Sequence, residues 1–265
     1  MTYRDQLLEV LRRFDRLAIA VSGGVDSLTL AATAAERIPN RVEMFHAVSP
    51  AVPEDATRRT REIADARGWR LHVIDAQEFS DPDYLRNPVN RCYFCKSNLY
   101  FRIATHTDAP IAAGTNTDDL GDYRPGLIAA RQNGVVHPFV EAEMAKPQVR
   151  SLAADLGLGE VSSLPAQPCL ASRIQTGIGI RVDLLRLAYD IEALVRRALP
   201  GSVVRARIRP EGVELELGAS VHETLGADHP LLGEIKQKCA AAQLAFAGVS
   251  SYRMGSAFVG DKAGG

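Results

Sequence analysis

The sequence predicts an α/β chain, a doubly wound parallel sheet followed by a smaller α+β domain. Two observations carry that expectation. Short apolar runs alternate with helical stretches from Leu17 to Leu156, at the spacing of parallel strands joined by crossover helices. From Arg181 the composition changes to one long helix with a broad apolar face and a strictly alternating hairpin. The expected divisions are 1–160 for the sheet domain, 161–180 for a cysteine-bearing connection and 181–260 for the second domain.

Taken in order, Met1 to Phe14 has apolar residues at helical spacing broken by charges, so it predicts a helix that is neither a signal peptide nor a membrane span. A cytoplasmic location is the default expectation. Leu17 to Val21 has the length and composition of a buried strand, and Leu28 to Glu36 is an alanine-rich helix former. Arg41 to Ser49 predicts a second strand, stopped by Pro50 and Pro53. Glu54 to Arg67 is a charged helix with Ile63 and Ala64 inward, closed at Gly68, and Trp69 to Asp75 is a third strand. A helical run from Ser97 to Thr105 precedes a strand at Ala109 to Gly114, expected beside the first. A helix from Leu127 to Asn133 ends at Gly134, Val135 to Val140 is a last short strand, and Glu141 to Leu156 is a helix with Lys146 early in it. In the second domain, a helix at Val182 to Leu199 leads to strands at Ser202 to Arg209 and Val213 to Gly218. A helix from Pro230 to Ala247 carries Cys239 on its packed face and leads to Tyr252-Arg-Met-Gly-Ser256 and a closing strand, and the tail from Asp261 to Gly265 is expected to be disordered.

Thirty-one basic against thirty-two acidic residues give a net charge of −1, so no global field draws the chain to nucleic acid or an anionic membrane. Its four cysteines, at 92, 95, 169 and 239, are too few and too uneven for a secreted disulfide scaffold. They point to metal binding or catalysis.

The first strand runs into Ser22-Gly23-Gly24-Val25-Asp26-Ser27 and then a helix. Amide groups at a helix start are unpaired and carry partial positive charge, and the two glycines let the backbone approach an anion closely. This is the pattern of a phosphate site. No Lys follows the glycines, so it is not a Walker loop, and the spacing is not that of a dinucleotide-binding turn. It resembles the Ser-Gly-Gly-x-Asp-Ser signature of the PP-loop ATP pyrophosphatases, which cleave ATP between the α and β phosphates. That resemblance makes Ser22, Gly23, Gly24, Asp26 and Ser27 ATP-binding residues, with Ala47 and Val48 at the end of the second strand meeting the adenine.

Three further stretches carry chemistry. Cys92 and Cys95, three positions apart, can reach one metal ion, and the spacing leaves zinc, an iron–sulfur cluster, a redox pair and coincidence open. Asp118, Asp119 and Asp122 lie beside Asn116 and Arg124 after the strand expected next to the first; they are either a solvated capped loop or groups facing a nucleotide and its Mg²⁺. Arg124 is a candidate fork for phosphate or carboxylate. Two prolines hold Cys169 in a stiff connection beside Ser172 and Arg173, where the thiol is either packed or activated by the nearby guanidinium. In the hairpin, Arg205, Arg207 and Arg209 share one side; a solvated face opposed by Glu214 and Glu216 and an anion site fit equally. His46 and His137 are expected to be structural.

With these pieces in order, nearly the whole chain is similar to the LarE family of ATP-dependent sulfur transferases of nickel-pincer nucleotide biosynthesis. The resemblance rests on Ser22 to Ser27, Arg91-Cys-Tyr-Phe-Cys-Lys96, Gly114 to Gly126 and Pro168-Cys-Leu-Ala-Ser-Arg-Ile174, and extends through Arg205-Ala-Arg207 and Tyr252 to Ser256. It implies that a carboxylate of pyridinium-3,5-biscarboxylic acid mononucleotide is adenylated by ATP, pyrophosphate leaves, and sulfur then replaces AMP. Asp26, Cys169 and Arg173 take catalytic roles; Glu192, Arg205 and Arg207 hold the substrate. The family uses either a sacrificed cysteine at the position of Cys169 or a 4Fe-4S cluster on three cysteines, and Cys92, Cys95 and Cys169 match the cluster branch. A sulfide donor and a homo-oligomer are implied, with no nucleic acid and no membrane partner. After Ile174 the chain has Gln175-Thr-Gly where the family usually continues Pro-Tyr-Gly. The turn Pro210-Glu-Gly212 lacks the family's His-Gly, and no acid follows the second hairpin strand in Gly218 to His222.

Overall fold

The computed structural model describes residues 2–121, 124–219 and 229–258. Asp122, the segment from Ser220 to His222 and the tail from Asp261 fall outside the described residues. The chain forms two compact units, Met1–Asp81 with Asn90–Gln167, and Pro82–Val89 with Pro168–Gly265.

The first unit is the predicted doubly wound layer. Strands β1 (Leu17–Ala20), β2 (Val42–Ala47), β3 (Leu71–Ile74) and β4 (Ile111–Ala113) form an all-parallel sheet in the order β3-β2-β1-β4. Alternation along β1 sorts its side chains onto two faces. Leu17 and Ile19 join a core with helices α1 (Tyr3–Arg12), α2 (Val25–Arg37) and α8 (Lys146–Asp155), whereas Ala18 and Ala20 meet Tyr100 and Ile103 of α5 (Arg91–Ala104) and Ala130 of α6 (Pro125–Gln132). The small residues on the second face let those helices approach closely. Helix α3 (Glu54–Arg67) connects β2 to β3 and ends at Gly68 as predicted. The chain order places β2 and β3 on one side of β1 and β4 on the other, so the switch point lies at the carboxyl ends of β1 and β4.

Three expectations for this unit need correction. The helix after Asn90 begins at Arg91, not Ser97, so Cys92 and Cys95 sit in its first turns. The strand expected at Val135 to Val140 shrinks to a single bridge between Ala112 and Val136, because Pro138 has no N–H for a ladder and opens a short helix instead, α7 (Pro138–Glu141). Helix α8 therefore starts at Lys146 rather than Glu141.

The second unit contains α4 (Pro82–Leu85), α9 (Val182–Ala198), α10 (Pro230–Ala241) and a mixed sheet β5-β6-β7. Strands β5 (Val204–Arg209) and β6 (Gly212–Leu217) pair antiparallel, Arg205 opposite Glu216 and Arg207 opposite Glu214. The last helix stops at Ala241, six residues before the predicted end at Ala247, and Gln243 adopts a left-handed conformation with φ 57°. Phe246–Ser251 forms β7, parallel to β6, so the closing strand begins inside the stretch expected to be helix and ends before Tyr252. Asn87, fully buried, donates from Nδ2 to the carbonyls of Gln175 and Ile178, both at 2.9 Å, tying the α4 segment to the loop after Ile174.

Candidate active site

The turn after β1 opens α2 without a side-chain cap. Gly24 is the N-cap of α2 and no side chain caps that helix start, so its first amides are left for another partner. The hydroxyls are spent on the turn itself: Ser22 N–H donates to Ser27 Oγ at 3.0 Å, and Ser27 Oγ donates to the Gly24 carbonyl at 3.2 Å. Gly23 has φ 80°, and a Cβ there would lie 2.7 Å from the Ala56 carbonyl oxygen. Gly114, at the end of β4, is needed for a different reason. A Cβ on it would stand 2.8 Å from both Asp26 C and Ser27 N, so only glycine lets the β4 turn reach the start of α2.

That close approach assembles a polar group across the switch point. Asn116, buried, donates from Nδ2 to Asp26 Oδ1 at 3.2 Å, and Lys146 Nζ meets Asp26 Oδ2 at 2.5 Å. The β4 loop is itself stitched to the start of α8: Thr117 N–H donates to the Met144 carbonyl, and Lys146 N–H to Asp118 Oδ2 at 3.1 Å. Asp118 thus holds the helix that carries Lys146. Asp119 accepts from Asn116 N–H and pairs with Arg124 at 2.7 Å, so Arg124 sits on an acid of its own loop. Ala47 is half-buried at the end of β2. Next to it, His46 is buried and bonded at both nitrogens, Nδ1 to the Val21 carbonyl at 2.8 Å and Nε2 to Thr57 Oγ1 at 2.9 Å. Burial pushes its pKa down, and the expectation of a structural role fits.

Lys146 and Arg59 had no predicted role at this site. A signal for the first existed: a lysine heading a helix is unfavourable against the positive end of the dipole, unless an acid from elsewhere compensates it. Arg59, on α3, donates from Nη1 to the Gly23 carbonyl at 2.7 Å.

In the second unit, Cys169 is half-buried and its carbonyl is gripped by Ser172 Oγ at 2.7 Å, Ser172 N–H at 3.0 Å and Arg173 Nη1 at 3.4 Å. Arg173 is itself buried in a fork on Glu192, Nε to Oε1 at 2.7 Å and Nη2 to Oε2 at 2.8 Å. Burial would push the Glu192 carboxyl up, but the hydrogen bonds and charge of Arg173 hold it below the usual range. Arg207, 4% exposed, pairs with Glu216 at 2.9 Å and donates to the Ser172 carbonyl. Arg209 bridges Glu216 and Glu214. The arginine side of the hairpin is therefore a largely buried ion-pair chain behind the Cys169 turn, not a solvated face. Arg205 is half-buried, its guanidinium 5.6 Å from the Tyr252 ring centroid. Burial and then the charge of Arg173 push its pKa down, against the opposing charge of Glu192.

Cys92 and Cys95, half-buried and not disulfide-bonded, lie one helical turn apart on α5, close enough to share an ion. Cysteine thiolates are the donors that iron–sulfur clusters and zinc take, and Cys169 belongs to the second unit. Among the described residues, however, no three His, Cys, Asp or Glu side chains are gathered around one point as metal ligands. Cys239 is fully buried on α10, and burial pushes its thiol up. No helix among the described residues is long and apolar enough to cross a membrane.

No family model matches the chain. A Synechocystis relative, the uncharacterized protein slr1717, is 37% identical over 226 residues, covering 80% of this chain and 82% of its own. The pyridinium-3,5-bisthiocarboxylic acid mononucleotide synthase of Lactiplantibacillus plantarum is 26% identical over 82% of this chain and 79% of its own. The glutamine-hydrolyzing GMP synthase of Leifsonia xyli is 27% identical over 76% of this chain, which spans 44% of that enzyme. The chain belongs to the family of the Synechocystis slr1717 protein and carries the fold of the PP-loop ATP pyrophosphatases.

Proposed function

We propose that this protein is an ATP-dependent sulfur-inserting enzyme acting on a carboxylate of pyridinium-3,5-biscarboxylic acid mononucleotide. The observation that carries the reading is the uncapped start of α2 facing a lysine and an aspartate drawn together from 120 positions apart, in a chain with a synthase of the thiolated nucleotide among its relatives. ATP enters with Mg²⁺ as part of the substrate. Its outer phosphates take the free amides of α2, and Lys146 exchanges the Asp26 carboxylate for a phosphate oxygen. Asp26, still oriented by Asn116, then faces the departing pyrophosphate and its cation. Asp118, Asp119 and Arg124 keep the β4 loop in register, and the end of β2 at Ala47 borders the base.

Activation is chemically required because a carboxylate resists nucleophiles. Its oxygen attacks the α-phosphorus, the α–β bridge breaks, and pyrophosphate leaves with the electron pair. Sulfide then attacks the acyl carbon and AMP departs with the original carboxylate oxygen. No electrons are transferred. Arg205 meets the substrate phosphate, with Glu192 and Arg207 fixing the strand that carries it. Arg173 holds the Cys169 turn. For the sulfur source, Cys92, Cys95 and Cys169 would supply thiolates to a 4Fe-4S cluster, which would carry a sulfide when bound.

The test is pyrophosphate release from ATP in the presence of the biscarboxylate mononucleotide. Release that requires this compound supports the reading. Release that requires tRNA instead moves the protein to RNA thiolation.

A further inference from the structure

We propose that Arg59 is a positioning residue of the phosphate loop, fixing the Gly23–Gly24 peptide so that the Gly24 N–H is presented to bound phosphate. The proposal rests on the reading of that loop as the ATP site.

Peptide planarity links the two ends of that unit. No described peptide bond is cis, and in a trans peptide the carbonyl and the following N–H point in opposite directions. Arg59 Nη1 holds the Gly23 carbonyl oxygen toward α3 at 2.7 Å. The Gly24 N–H is thereby turned away from α3, and Gly24 is the N-cap of a helix that no side chain caps. The same turns of α3 form the floor of the loop, since a Cβ on Gly23 would meet Ala56 O at 2.7 Å and Thr60 Oγ1 at 3.0 Å.

Arg59 is itself steadied. Its side chain is 18% exposed, with Asp55 at 3.7 Å one turn earlier and Gln167 Oε1 at 3.4 Å from Nη1. A partly desolvated guanidinium makes a stronger hydrogen bond to a carbonyl than a neutral donor does. His46 acts in the same way on the Val21–Ser22 peptide. Its Nδ1–H donates to the Val21 carbonyl while Nε2 accepts from the Thr57 hydroxyl of α3, and the next amide, Ser22 N–H, is turned onto Ser27 Oγ. Helix α3 thus sets two peptides of the loop, the first closed on a serine and the second left open for ligand.

The test compares wild type with Arg59→Met, Arg59→Lys and Arg58→Met. Arg58, 70% exposed and 3.8 Å from Glu62, controls for loss of a cation from α3. Backbone resonances are recorded without nucleotide, and ATP and pyrophosphate affinities by calorimetry. The expected result is that Arg59→Met shifts the Gly23 carbonyl-carbon and Gly24 amide resonances and weakens both ligands about tenfold or more. Arg59→Lys, which keeps a donor on a long stem, recovers most of both effects and covers the case in which the methionine variant does not fold. Arg58→Met matches wild type. Unmoved Gly23 and Gly24 resonances in Arg59→Met overturn the proposal, as does a shift without loss of affinity in a wild type that binds ATP. A wild type that binds neither ligand, with the resonances shifting as expected, sinks the ATP reading and leaves the brace standing.

Discussion

Lys146 Nζ lies 2.5 Å from Asp26 Oδ2, and the two residues head α8 and α2, each at the first turn of its helix. The contact places a cation where helix polarity disfavours it and compensates it with an acid that a second helix start favours. Both side chains remain partly exposed, at 32% and 26%, which leaves room for the exchange of partners that the proposed ATP binding requires.

Lys146→Met and Asp26→Asn should each reduce ATP-dependent pyrophosphate release by about two orders of magnitude, the loss seen when a positioned charge is removed from a developing anion. The melting temperature should move little, because a half-exposed ion pair contributes about 1 kcal/mol or less. A large drop in melting temperature with intact turnover would reverse the assignment.

Gly114→Ala should act in the opposite way, through structure first. The added methyl stands 2.8 Å from the backbone of Asp26 and Ser27, so the β4 turn must retreat from α2. We expect a loss of about 1–3 kcal/mol in urea unfolding. ATP affinity should fall further than in a Gly121→Ala control, where nothing lies within 4 Å.

The Glu192 pair makes a pH-dependent contribution whose sign is fixed. A carboxyl held below its unfolded value contributes stability that is complete above the unfolded pKa, about 4.3, and is lost as pH falls through the lower folded value. Glu192→Gln should therefore cost about 3 kcal/mol or more near neutrality, since it leaves buried Arg173 uncompensated, and the difference from wild type should shrink in acid. Unfolding curves at neutral and acid pH measure it. A difference that grows in acid would count against the pairing.

Cysteine replacements separate function from packing. Anaerobically purified protein should carry about four irons per chain if the three thiolates hold a cluster. Changing Cys92, Cys95 or Cys169 to Ala should remove the iron and its visible absorbance. Cys239→Ala should keep both and lower stability, because that thiol is fully buried on α10. Colourless protein with one tightly bound zinc would end the cluster reading.

Much of the first unit was legible because its signals are local. An apolar run, a glycine turn and an alanine-rich helix stand side by side from Leu17 to Glu36, and the structure keeps them. The sequence marks Lys146 only as a residue early in a helix, because its partner at Asp26 comes from a different crossover. The hairpin showed a charged side by alternation, but alternation does not say whether that side meets water; α9 delivers Glu192, and Arg207 is buried. Pro138 and Gln243 displaced two predicted elements through backbone chemistry, a missing N–H in one case and a left-handed residue in the other.

The proposed reaction requires that a substrate carboxylate be activated as an acyl adenylate before sulfur enters. The decisive measurement supplies the biscarboxylate mononucleotide with ¹⁸O in its carboxylates, together with ATP and a sulfide source, and analyses the products by mass spectrometry. AMP bearing one ¹⁸O, and a nucleotide in which sulfur has replaced that oxygen, are the expected products. Thiolated product accompanied by unlabelled AMP would rule out the acyl adenylate.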